Sequence, residues 1–158
     1  MDKNEATIKF LLTCPTILAD PLFFNFAVEE DGNNLFITES DAATGKAYID
    51  GSIPKQYTFT LASYKDISHN ALVGTSDFGD ENMEAMAKVQ EILDWINEQA
   101  EMRNYPDFGE ECIIEDMQPL TDDPELDGID RSVDPPRVRY SVGVRLKYLD
   151  KSKMVWNR

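Results

Sequence analysis

The stretch that most constrains this chain is residues 137–149, RVRYSVGVRLKYL. Val138, Tyr140, Val142, Val144, Leu146 and Tyr148 fall on one parity, and Arg137, Arg139, Ser141, Gly143, Arg145 and Lys147 on the other. Successive side chains of a strand point to opposite faces, so this alternation predicts a β-strand with one buried and one wet face. At roughly 3.3 Å per residue it spans about 40 Å, the width of a small domain, which makes it a central strand or a long edge strand. A slip of one residue would turn all six apolar side chains to water, so the register is strongly specified.

Other elements arrange themselves around it. Ile8, Leu11 and Leu12 lie at helical spacing in residues 5–12, and Pro15 ends or kinks that short helix. Residues 22–29 (LFFNFAVE) and 35–39 (LFITE), joined by Asp31-Gly32-Asn33-Asn34, read as a β-hairpin. Residues 40–55 collect Gly45, Gly51 and Pro54 and read as a loop with a short strand at 47–49. Tyr57, Phe59 and Leu61 alternate with polar neighbours in a second half-buried strand, residues 56–63.

The major helix is expected over residues 80–102, with Asp80 as N-cap and Glu81 and Glu84 in the first turn, where the helix dipole favours carboxylates. Met86, Val89, Leu93, Ile96 and Ala100 give it a single apolar stripe. Leaving three such side chains wet would cost several kcal/mol, at about 1.5–3 kcal/mol each, so the stripe must be covered by the apolar faces of the two strands. Residues 111–117 (ECIIEDM) form a further short strand, and residues 119–136 form an extended, acidic, proline-bearing loop. The expected fold is α+β: a single domain over residues 1–158, with a mainly antiparallel or mixed β-sheet packed against one long and one short α-helix.

Charge and composition exclude several functions. Hydrophobic residues make up 42% of the chain, enough to rule out global disorder, and no apolar run is long enough to span a membrane. The net charge of −15 disfavours tight nucleic-acid binding, because phosphate contacts need a positive patch. Cys14 and Cys112 stand far apart without metal-like spacing and read as reduced thiols. His69 is the only histidine, and no phosphate-binding glycine loop, G-x-S-x-G elbow or C-x-x-C pair occurs. No catalytic residue, cofactor or metal is therefore expected.

Two patches remain. Asp123, Glu125, Asp127, Gly128 and Asp134 fall near the positions of a calcium loop, but Pro124 interrupts it and its flanks read as strands, so a solvated loop is the expectation. Arg137, Arg139, Arg145 and Lys147 place four positive charges on one face of an otherwise acidic chain. They either pair with carboxylates on neighbouring strands or meet an acidic patch, Asp122, Asp123 and Asp127, on another copy.

The helix ending in Cys14-Pro15, the strand QYTFTLASYKD, the helix ENMEAMAKVQEILDWINEQ, its exit RNYPDFGEECIIEDM and the terminal RYSVGVRLKYLDK resemble the minor-capsid or tail-terminator proteins of tailed bacteriophages and prophages of Gram-positive bacteria. The resemblance runs from about residue 6 to residue 151, and it is one of pattern and order with no catalytic signature. It implies a virion protein, assembled in the host cytoplasm, that caps the head-proximal end of the tail tube as a ring of six. Such a ring stops tube polymerisation and offers a surface to the neck or connector proteins. Six copies would carry about −90, and a negative lumen lets DNA slide through. The alternatives are a neck or head-completion protein of the same virion, or an acidic inhibitor that mimics nucleic acid.

Overall fold

The computed structural model describes residues 2–18, 22–24, 34–66, 76–121, 123–130, 132 and 137–154. Along the chain these form α1 (Lys3–Leu11), α2 (Pro15–Leu18), β1 (Leu22–Phe24), β2 (Asn34–Ala43), β3 (Ile53–Asp66), α3 (Ser76–Glu101), β4 (Cys112–Pro119), β5 (Glu125–Asp130) and β6 (Arg137–Asp150). The six strands make one sheet in the order β1-β2-β3-β6-β4, and β5 also pairs with β6. Only β1 and β2 run parallel. With helices packed on the sheet, the fold is α+β.

The long alternating stretch is the centre of the sheet. On one edge β6 pairs with β3 along its whole length, from Asp66↔Arg137 to Ile53↔Asp150. On the other edge it takes two strands end to end: β4 lies beside residues 144–150 and β5 beside residues 137–141. All six apolar side chains of β6 are at most 3% exposed. They join Tyr57, Phe59 and Leu61 of β3 and Val89, Leu93 and Ile96 of α3 in one core, as the apolar stripe of the helix requires. Ala6, Phe10 and Leu11 of α1 close the same core, with the Phe10 ring 5.0 Å from Trp95.

Several expectations change. The hairpin over residues 22–39 is replaced by a parallel pairing, Leu22↔Asn34 to Phe24↔Phe36. The antiparallel partner of β2 is β3 instead, since a turn signal reverses the chain locally but does not choose the neighbour. Residues 25–33, which held the turn, lie outside the described set. β2 continues to Ala43 and β3 begins at Ile53, so the loop shrinks to residues 44–52 and no strand forms at 47–49. α1 stops at Leu11 with Leu12 as its C-cap, and Pro15 instead opens α2, because its fixed φ and missing N–H suit a first helical position. α3 begins at Ser76, which makes Asp80 an internal residue and not its N-cap.

The acidic loop also changes. Residues 125–130 are a strand, because the first half of β6 would otherwise leave its backbone donors and acceptors unpaired. The register is shifted at Ile114/Asp116 in β4 and at Leu126/Gly128 in β5, while β6 itself runs without a bulge. Between β4 and β5 the Leu120 N–H donates to the Gly143 carbonyl at 2.8 Å. A Cβ on Gly143 would lie 2.9 Å from Leu120 Cδ1, so this glycine makes room for a close approach.

Candidate functional site

The outer face of the sheet carries the basic parity of β6. Arg137, Arg139 and Arg145 are half-buried and Lys147 is exposed. Strand register places Arg137 between Asp66 and Asp130, and Lys147 between Gln56 and Asp116. Arg145 sits between Thr58 and Gln118 and donates from Nη2 to Gln118 Oε1 at 3.1 Å. Arg139 lies between Tyr64 and Gly128, beside the buried outer cluster of Leu35, Ala62 and Tyr64. Two of the four cations thus face carboxylate positions on neighbouring strands, the geometry of cross-strand pairing.

Asp127 stands in β5 at the register shift, and Asp123 is exposed just before that strand. The acidic segment therefore runs along the same sheet as the basic strand. Asp122, Asp134 and His69 lie outside the described residues. The calcium-like spacing falls across a paired strand instead of a loop between helices, and among the described residues no three His, Cys, Asp or Glu gather to hold a metal ion.

Sequence reading passed over the outside of α3. Glu91, Asp94, Glu98 and Glu101 are all exposed, at steps of three, four and three. This is the complement of the apolar stripe, and it was readable in the same periodicity.

A polar pocket of about 540 Å³ opens where the start of α1 meets the ends of β2, β4 and β6. Asn4 Oδ1 accepts from the Tyr57 hydroxyl at 2.5 Å and from Thr38 Oγ1 at 3.0 Å. Lys3 Nζ lies 3.2 Å from Asp41 Oδ2 and 5.4 Å from the centre of the Tyr148 ring, and the Tyr148 hydroxyl donates to Asp41 Oδ1. Lys55 Nζ reaches Asp150 Oδ2 at 2.8 Å.

Burial and the bond to Asp41 raise Tyr148 far above the ordinary tyrosine range. Burial alone would raise the Asp150 carboxyl, but Lys55 and Ser152 more than offset it and hold it down to about 2. The bond to Asp150 raises Lys55. Burial, helped by Asp150, raises the Cys112 thiol. Neither cysteine is bridged. The contacts of Lys3 with Asp41 and of Asn4 with Tyr57 and Thr38 fasten the start of α1 to the sheet.

No protein-family model and no curated protein matches this chain.

Proposed function

We propose that this chain is a structural protein of a tailed-phage virion. It caps the head-proximal end of the tail tube as a ring of copies, ends tube polymerisation and joins the tube to the neck proteins of the head. What carries the reading is that the stretches bearing the resemblance are the elements that build the core: α1, β3, α3, β4 and β6. The similarity is thus one of structural frame. The polar pocket, where Lys3 pairs with Asp41 and ties α1 to the sheet, fits a role in holding the frame together. The partners are further copies of the chain, the tube protein and the neck proteins.

The ring position also agrees with the charge. A net −15 per copy leaves DNA unbound in the lumen, because phosphates find no counter-charge there. Negative-stain microscopy of an induced prophage lacking this gene tests the role. Headless tails with over-long tubes are the expected result, and normal virions would overturn it.

A further inference from the structure

The edge of β6 that faces away from β3 is shared by two strands, and they are held in different ways. β4 is anchored in the core: Met117 is 3% exposed, and Cys112 and Ile114 pack against the same cluster. β5 is not. Glu125, Leu126 and Ile129 are all exposed, Leu126 by 51% and Ile129 by 39%, although register sets these last two opposite the buried Tyr140 and Val138. Neither joins the core to which Tyr140 and Val138 belong. What fastens β5 is its pairing with β6, five pairs interrupted by the shift at Leu126/Gly128. A strand held by backbone bonds and little buried apolar surface is among the first to open.

Opening β5 leaves residues 137–141 with unpaired N–H and C=O groups along that edge, and a strand must meet them again. The structure shows which strand fits. Register sets Asp130 opposite Arg137 and Glu125 opposite Ser141, so the occupant brings acidic positions to a strand that carries Arg137 and Arg139. In a chain of −15, where most apposed copies would repel, this is a contact whose register and charge already match inside every copy. The connections have the length to reach. The Leu120 N–H is tied to the Gly143 carbonyl; from there five residues lead to Glu125, and seven lead from Asp130 to Arg137, spans of at most about 18 and 25 Å.

We propose that β5 is exchanged between copies: β5 of one copy pairs with residues 137–141 of the next, in the register it holds within its own chain. Exchange keeps every pair between the two strands, which makes it a low-cost route to assembly. Each copy gives one strand and receives one, so the contact is head-to-tail, and its repetition closes a ring or extends a filament. The inference rests on the ring reading above and supplies its subunit contact.

The test is a bridge between facing positions of the full chain. Glu125→Cys and Ser141→Cys, made together, place two thiols across one strand pair, within reach of a disulfide. The wild type, with Cys14 and Cys112 alone, controls for other bridges. Oxidised at concentrations where sedimentation velocity shows assembly, the double variant runs on a non-reducing denaturing gel as a series of linked copies, which reductant collapses to the single chain. Oxidised at high dilution it closes within its own chain, and this locked form stays monomeric on concentration until reductant restores assembly. A locked chain that assembles as well as its reduced form overturns the exchange. So does a variant that bridges only within the chain under assembling conditions, or a wild type that stays monomeric at every concentration. The gene-deletion phenotype reads the terminator role separately: normal virions beside linked copies would sink the role and leave the exchange standing.

Discussion

The two faces of β6 are made by the same residues in alternation and do opposite things. The inner face, Val138 to Tyr148, is fully buried against α3 and α1. The outer face, Arg137 to Lys147, is half-open and set among polar or acidic positions of the neighbouring strands. Packing tolerates little change in volume, whereas exposed charge pairs are worth about 0–1 kcal/mol. The inner face therefore fixes the fold, and on the outer face the exposed Lys147 has more freedom to vary than the buried Ser141 or the close-packed Gly143.

Substitutions can break or sharpen that contrast. Leu146→Ala should cost about 2–5 kcal/mol in denaturant unfolding, and a loss below 1 kcal/mol would mean the inner face is not the keystone. Tyr148→Phe keeps the packing and removes the donor to Asp41, and should cost about 1 kcal/mol.

Acid tests the same end of the strand. The carboxyl of Asp150 titrates lower in the folded chain, at about 2, than the ordinary value of about 3.9 in the unfolded chain. Its contribution is present above pH 4 and lost as pH falls through about 2. Wild type should therefore lead Asp150→Asn by about 1 kcal/mol near neutrality, and the lead should vanish near pH 2.

Gly143→Ala pushes on the movable end of Leu120 and should shift stability by less than about 1 kcal/mol, seen as a small change in melting temperature. Lys147→Gln should be smallest, within about 0.5 kcal/mol, and a larger loss would show that the outer face also holds the fold.

The strongest periodicities were legible from sequence. The alternation of β6 and the stripe of α3 each repeat over many residues, so both faces and their mutual packing follow. β5 was not legible, because Asp127, Gly128 and Asp130 read as loop chemistry and only the unpaired edge of β6 calls for a strand there. The β1–β2 pairing was misread for a related reason: Asp31-Gly32-Asn33-Asn34 signals a turn, but partner choice is a property of the whole sheet.

The site was less legible still. The spacing of Arg137, Arg139, Arg145 and Lys147 showed a basic face, but not that Asp116 and Asp130 stand opposite two of its members. Nor could it show that Lys3, Asp41 and Tyr148, far apart in sequence, converge in one pocket.

The place of β6 also bears on how the chain acquires its shape. Its pairs with β3 join residues 71 apart at the near end, Asp66 to Arg137, and 97 apart at the far end, Ile53 to Asp150. Contacts this remote in sequence slow folding, because a long loop must close before they form. During synthesis β2, β3 and β4 emerge while the strand that unites them is still in the ribosome. β2 and β3 can pair with each other at once, but β4 must wait for the strand that joins it to them.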